Sequence, residues 1–485
     1  MLFNLKFQIV NFKSQILINH DNHKNLRSIS SSKFSKFIES SVYLRIKIHF
    51  MKLVILGGGF AGLRLARKLS NQKGIDVTLV DKFNYHQFQP LFYQVATAGL
   101  DASNISFPLR KVFQKADNVH VRLAEVQQIV PDKNIVITNN GEIDYDVLVL
   151  ATGASTNFFG NENIAKNAFP MKSTVDALQI RHRLLQNLED ALYAKTPEEL
   201  QRLMTIIVVG GGPTGVEVSG AIADMRNFVL PKDYPELDFK KMKIFLLESS
   251  PKTLGVMSEK SSVQSREYLT ELGVIVKTGT YVSDYDGKNV TLKTGEIIPA
   301  ATVIWSAGIK ANVPAGADKA TAVRGGRIKV DRYNKVFGYE NIYAIGDISS
   351  METPLYPNGH PQLASVAIQQ AKRLATNFIS FAKKGSFEKE FEYVDKGSMA
   401  TIGRNLAVVD LATPKVHFKG LFAWMVWMFL HLMLILGVKN KFFVFINWLY
   451  NYLTFDQSLR LIFNEFERPK DPVEAQTAVH EAAKV

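Results

Sequence analysis

Hydrophobic and polar positions change period several times along this chain. The run LVIL at 53–56 is apolar without a break, stops at three glycines, and gives way to FAGLRLARKLS, where apolar positions recur every three to four residues. A continuous run followed by a helical period predicts a buried strand and then an amphipathic helix. IDVTLVD, 75–81, predicts the next strand. The same order returns with TIIVV at 205–209, the helical PTGVEVSGAIADM, and the strand KIFLL at 243–247. Between the last two, NFVLPKDYPELDFKK reads as an inserted loop broken by prolines. LASVAIQQAKRLATN, from Leu363, has helical periodicity. Near the end, GLFAWMVWMFLHLMLILGV (420–438) is apolar with His431 as its one ionisable residue, a length marginal for crossing a bilayer. The next segment places Asn440, Asn447, Asn451, Thr454 and Ser458 at steps of seven, four, three and four, a polar stripe on an aromatic helix.

Composition narrows the class. The 485 residues, 46% hydrophobic and 21% charged, suit two or three globular domains. The net charge is +13, of which residues 1–50 supply +6 from eight Lys/Arg against Asp21 and Glu39. With the basic excess at one end and no basic helix interleaved with aromatics, an anionic membrane surface fits better than nucleic acid. There is no cysteine, which excludes disulfides, thiolate metal sites and redox dithiols. No His, Asp or Glu cluster has metal-ligand spacing, so no metal is expected. Residues 1–50 are Lys- and Ser-rich and read as a leader or an overextended start, since Met51 directly precedes the first strong strand.

The two strand–helix units carry the chemistry. Gly57, Gly59 and Gly62 stand at G-x-G-x-x-G spacing, and Asp81 ends the following strand. Such glycines give a tight turn, close approach of a pyrophosphate and close helix packing, while the acid accepts a ribose hydroxyl. Gly210, Gly212 and Gly215 repeat the frame, with Glu248 as the acid. A carboxylate there favours the free 2′-hydroxyl of NADH over the phosphate of NADPH. Two dinucleotides in one chain point to hydride transfer between nicotinamide and flavin. The fold class follows: α/β, two Rossmann-like domains and a C-terminal helical membrane-attachment segment.

Six stretches, in this order, resemble the type II NADH dehydrogenase family: Gly57 to Gly62, NYHQFQPLFYQVATAGL from Asn84, ATG at 151–153, GGGPTGVE ending at Glu217, WSAGI from Trp305, and YAIGD ending at Asp347. The resemblance implies FAD, bound non-covalently, on the first unit and NADH on the second. Phe60, Ala61, Ala151, Thr152, Gly153, Gly346 and Asp347 then belong to the FAD site, with Gln94 and Thr97 near the flavin, and Ala307 and Gly308 are cofactor-binding positions as well. Asp347 is the acceptor for the flavin's ribityl chain. Glu217 handles substrate or proton beside the flavin. Gln369 and Gln370 belong to the quinone segment, in which Ser365 stands where many members have glutamine. His86 and Tyr93 read as packed residues without a catalytic role.

The reading that results is a non-pumping NADH:quinone oxidoreductase. Its expected layout is an FAD domain of 51–165 and 305–400, an NADH domain of 166–304, a membrane-attachment region of 401–465 and a loose tail of 466–485. Monotopic attachment is expected, with Trp424, Trp427 and Trp448 at interface depth and Lys419, Lys439 and Lys441 reaching headgroups; the same surface could serve a homodimer. The expected location is the cytoplasmic face of a bacterial inner membrane, or a mitochondrial inner membrane if the leader is real. The rival readings are a soluble-type reductase of a small electron-carrier protein and a poorly turning-over nucleotide-sensing flavoprotein.

Overall fold

The computed structural model describes residues 51–463, apart from 318, 319 and 321. The leader or overextended start and the tail of 466–485 lie outside the described residues.

In chain order the elements that frame the site are β1 (Met51–Leu56), α1 (Phe60–Leu69), β2 (Ile75–Asp81), α2 (Phe92–Ala96), β3 (Val119–Leu123), β4 (Val147–Leu150), β5 (Thr205–Val209), α3 (Pro213–Asp224), β6 (Lys243–Leu247), β7 (Ile275–Lys277), β8 (Thr302–Trp305), β9 (Ile342–Ala344), α4 (Ala364–Lys384), β10 (Ser398–Gly403), β11 (Leu406–Leu411), β12 (Val416–Lys419), α5 (Gly420–Leu434) and α6 (Val438–Thr454).

Two parallel five-stranded sheets hold the molecule together. The first runs β9-β4-β1-β2-β3; the second runs from the short strand Phe169–Pro170 through β8, β5 and β6 to β7. Each is built around the strand that precedes a glycine loop, β1 or β5. Leu53, Ile55, Ile207 and Val208 are almost fully buried. That burial explains the unbroken apolar runs, because parallel strands are covered on both faces. Gly62 and Gly215 show why the third glycine is needed. A Cβ on either would sit 1.9 or 1.8 Å from the carbonyl oxygen of Gly57 or Gly210, so only glycine lets the helix cross its loop so closely.

The segment expected as a Pro-broken loop is largely helical. A π turn, Met225–Val229, continues α3, and Leu230–Asp233 adds one more turn. Pro231 sits in the first turn of that last piece, where a missing N–H costs nothing.

At the C-terminus an antiparallel sheet, β10-β11-β12, leads into α5 and α6. Helix α5 has 15 residues, on the order of 22 Å at 1.5 Å per residue. The apolar run breaks at Ile435 to Gly437, and among the described residues no helix is long and apolar enough to cross a membrane.

The asparagines Asn440 and Asn451 of the polar stripe of α6 face inward, whereas Thr454 is exposed and donates to Tyr450 O in its own helix. Asn440 donates to the backbone oxygens of Ser103, Asn104 and Ser106, and Asn451 donates to Gly99 O at 2.9 Å. Ser458 lies past the end of the helix at Thr454. Outward stand Phe442, Phe445, Leu449 and Leu453, and on α5 Phe422, Met425, Phe429 and Met433, all exposed. The amphipathicity is therefore inverted with respect to water: amides hold the helix to the body and apolar side chains point away from it.

Candidate active site

The first glycine loop, and the start of α3 just past the second, open onto one cleft of about 1810 Å³. That exceeds the roughly 300–1,000 Å³ of a single small-ligand pocket and suits two dinucleotides. The first loop lines it with Gly57, Gly59, Phe60 and Ala61, joined by Asp81, by Ala151, Thr152 and Gly153, and by Gly346 and Asp347.

The fit to a dinucleotide rests on backbone and charge. Gly59, the residue before α1, offers no side-chain cap, the first turn of α1 has no acid, and a Cβ built on Gly59 meets nothing within 4 Å. Open backbone N–H groups at a helix start bind phosphate. Asp81 Oδ2 accepts from Gly58 N at 2.5 Å and Oδ1 from Phe83 N at 2.7 Å, which fixes the carboxylate at the loop. Burial raises its pKa, opposed by those N–H groups. Burial also raises Asp347, opposed by the charges of Lys172 and Arg327. Sequence reasoning missed Lys172, a cleft-lining lysine whose pKa burial lowers and Asp347 raises.

The second unit repeats the device. Glu248 Oε2 accepts from Gly211 N, and Oε1 from Ser250 N at 2.7 Å. Gly212 again precedes its helix without a side-chain cap. Here the cleft is lined by Pro213, Thr214, Trp305, Ser306 and Gly308, whereas Gly210, Gly212, Gly215, Glu248 and Ala307 stand behind this surface.

Glu217 is the fifth residue of α3, in its second turn, where the helix dipole no longer accounts for an acid. It lines the large cleft and also a smaller cavity of about 150 Å³ between α3 and the C-terminal helices; Tyr93 lines both as well. Burial pushes the Glu217 carboxyl up to about 8, offset in part by the Thr401 backbone N–H and the Trp427 indole. Trp427 Nε1 acts there without a well-formed hydrogen bond of its own. A carboxylic acid that keeps its proton at neutral pH is thus set where two cavities meet. The smaller cavity holds a second buried acid, Asp224, pushed up to about 6 by burial. His431 lines the large cleft; its Nδ1 lies 2.8 Å from Trp427 O, and burial lowers it to about 4, so it is neutral.

Besides Gly62 and the five residues that stand behind the cleft surface at the second unit, four more expected site residues lie off the cleft. Gln369 makes a two-way bridge to the backbone of Val394, donating to its O at 2.9 Å and accepting from its N at 3.1 Å. Gln370 is buried and accepts from Gly346 N at 2.7 Å. Neither reaches the cleft, because α4 presents Ala364, Ser365 and Ala367 there and the glutamines sit farther round the helix. Gln94 and Thr97 line the smaller cavity, not the cleft. Thr97 Oγ1 donates to Tyr93 O at 2.9 Å, and Gln94 is bonded to Tyr93 and Trp448. Ser365, by contrast, lines the cleft and shares a 2.9 Å hydrogen bond with the hydroxyl of Tyr393, which lines it too. His86 is buried, with Nδ1 3.1 Å from Gly58 O, a packed residue as expected.

Comparison with known proteins shows the family and the fold. Residues 51–371 match the pyridine nucleotide-disulphide oxidoreductase family and 396–455 the NDH2 C-terminal domain. The type II NADH:quinone oxidoreductase Ndh of Mycobacterium tuberculosis is 36% identical over 83% of this chain and 88% of that protein. The type II NADH:quinone oxidoreductase of Staphylococcus aureus is 32% identical over 73% and 87%. In fold, the NDH2 structure from Plasmodium falciparum in complex with NADH superposes with a TM-score of 0.76 at 23% identity, covering 85% of this chain and all of that one. With two dinucleotide units on one cleft, no cysteine and an NDH2 C-terminal domain, the chain belongs to the type II NADH dehydrogenase family.

Proposed function

We propose that the chain is a membrane-associated NADH:quinone oxidoreductase that takes electrons from NADH through FAD to a membrane quinone. The observation that carries this reading is the single cleft lined by the first glycine loop and by the start of α3, which follows the second, with Glu217 on its wall, its carboxyl pushed up to about 8 by burial. FAD is assigned to the first unit, 51–165 with 305–400, where the cleft-lining Asp81 would hold the ribose and Asp347 the ribityl chain. NADH is assigned to 166–304, where Glu248, held at its loop by Gly211 N and Ser250 N, would accept from a free ribose hydroxyl and repel a 2′-phosphate. When bound, FAD would supply the two-electron chemistry that links the nicotinamide to the quinone. The balance, NADH + quinone + H⁺ giving NAD⁺ + hydroquinone, needs one proton from the protein side, and Glu217 is the carboxylic acid placed to give it.

Attachment is monotopic in this reading. The outward faces of α5 and α6 enter the interface, Lys439 and Lys441 meet headgroups, and the inward amides keep both helices on the body. The side of the membrane is the one where NADH is made, the cytoplasmic face of a bacterial inner membrane.

Anaerobic rapid mixing tests the whole. NADH, and not NADPH, bleaches the flavin, and a quinone analogue restores its colour within the turnover time. Bleaching without recovery would place the acceptor elsewhere.

A further inference from the structure

The contacts between α6 and α2 have a direction. Trp448 Nε1 donates to Gln94 Oε1 at 2.6 Å, and Gln94 Nε2 donates to the Tyr93 hydroxyl oxygen at 2.7 Å. An indole N–H only donates, so the oxygen of the carboxamide must face it; the amide nitrogen also only donates, so Tyr93 is the acceptor in this pair. The phenolic proton must then point elsewhere. Among the described residues no nitrogen or oxygen takes it, while Tyr93 lines both cavities beside Glu217. The same face of α6 closes the turn after α2: Asn451 donates to Gly99 O, and Gly99 N and Leu100 N donate to Gln94 O at 2.7 and 3.1 Å.

We propose that Tyr93 donates a hydrogen bond to the carbonyl oxygen of a quinone bound against Glu217, and that Trp448, acting through Gln94, aims that donor. Tyr93 is then a catalytic residue, and Gln94 and Trp448 are positioning residues. The inference rests on the quinone reading above and adds to it a link between the two ends of the fold, 354 residues apart. A fixed donor placed where negative charge develops on the oxygen lowers the barrier because it need not reorient during the reaction. Since Trp448 belongs to the helix whose outer face is apolar, seating of α6 is part of assembling the acceptor site.

Gln94→Glu is the discriminating variant. Its carboxylate still accepts from the Trp448 indole, but toward Tyr93 it can only accept, so it draws the phenolic proton out of the cavity. Reoxidation of the reduced flavin by menadione or ubiquinone-1 is expected to slow by about 100-fold, the lower end of the range for loss of one such donor. Bleaching by NADH is expected to stay within about twofold, because no group near the nucleotide changes. Tyr93→Phe should slow reoxidation to the same extent, and Tyr93→Phe with Gln94→Glu should be no slower than Tyr93→Phe alone, whereas independent structural damage would add. Trp448→Phe extends the cycle should the glutamate variant fold poorly: several-fold slower reoxidation in the natural background, none further in Tyr93→Phe. Reoxidation at the natural rate in Gln94→Glu, additive losses, or equal slowing of both half-reactions overturns the relay. If quinone fails to reoxidise the unmodified protein, the functional reading itself falls and the relay with it; if the unmodified protein turns over and only the variants show no defect, the relay alone falls.

Discussion

Asp81 and Glu248 occupy equivalent positions in two copies of one unit, Asp81 as the last residue of β2 and Glu248 as the residue just after β6, and each accepts a hydrogen bond from the backbone N–H of the middle residue of its glycine loop, Gly58 or Gly211. The loop thereby holds the carboxylate in place before any nucleotide arrives, and its negative charge faces whatever the ribose carries. For Glu248 this predicts discrimination. Glu248→Gln keeps the shape but removes the charge that repels a 2′-phosphate, and the ratio of kcat/KM for NADH over NADPH should fall by about tenfold or more, ~1.4 kcal/mol of differential binding. Steady-state kinetics with the two nucleotides measure it; an unchanged ratio would assign selectivity to other groups.

Glu217 gives a pH prediction. Its pKa is raised to about 8, so it carries its proton through neutrality and loses it as the pH passes that value. Quinone reduction should therefore decline above about pH 8, and Glu217→Gln should abolish that limb while slowing the quinone half-reaction more than flavin reduction. The linkage to stability has the same sign: a folded pKa above the unfolded one gives stability at low pH that is lost as pH rises toward 8. Thermal unfolding should thus show Glu217→Gln gaining on the natural protein between pH 5 and 9. A pH–rate profile and a melting series on the two proteins test both statements.

Gln370 predicts a structural loss. Its Oε1 accepts from Gly346 N beside Asp347 and its Nε2 donates to Ser349 Oγ at 3.2 Å. Gln370→Leu leaves the Gly346 N–H without its partner, at about 1–3 kcal/mol, and loosens the turn that carries Asp347. Lower melting temperature and faster flavin loss on dilution are expected, with the reoxidation rate per bound flavin largely kept. A specific loss of reoxidation at full flavin content would return Gln370 to the quinone site.

That residue shows where the sequence was legible. Glycine frames can be read because the tight turn and the close helix crossing allow few solutions: a Cβ at Gly62 or Gly215 would collide with the loop carbonyl in either copy. The terminal acids can be read for the same local reason, as can the strand runs between them. Gln369 and Gln370 could be placed on a helix but not on a face of it, because the rotation of α4 is set by packing against α1 and by Val394 and Gly346, far off in sequence. The partners of Tyr93 and Gln94 were hidden likewise, since Trp448 is 354 positions away. Even the acidity of Glu217 depends on Thr401 and Trp427, which no motif around it contains. The polar stripe of α6 was visible as a pattern, and its inward direction was not, because a helical period says that two faces differ without saying which one meets the protein.

The inverted helices predict how the protein leaves a membrane. Phe429 on α5 is 67% exposed and Leu453 on α6 is 70% exposed, and each projects from the face opposite the buried Trp427 and Trp448. Removing such side chains costs the body of the protein little packing, whereas a charge in their place must be drawn into the interface with the rest of the helix. Phe429→Asp with Leu453→Asp should shift the protein from sedimenting with anionic vesicles to the supernatant, with flavin content and NADH-driven bleaching unchanged. Menadione, which partitions readily into water, should still be reduced at a rate within about threefold, while a long-chain quinone embedded in the vesicles should be reduced at least tenfold more slowly, a gap of ~1.4 kcal/mol or more in the barrier. The contrast isolates attachment from chemistry: equal loss with both quinones would mean that these side chains support the acceptor site itself, and equal retention with both would mean that the apolar faces of α5 and α6 are not what reaches the lipid.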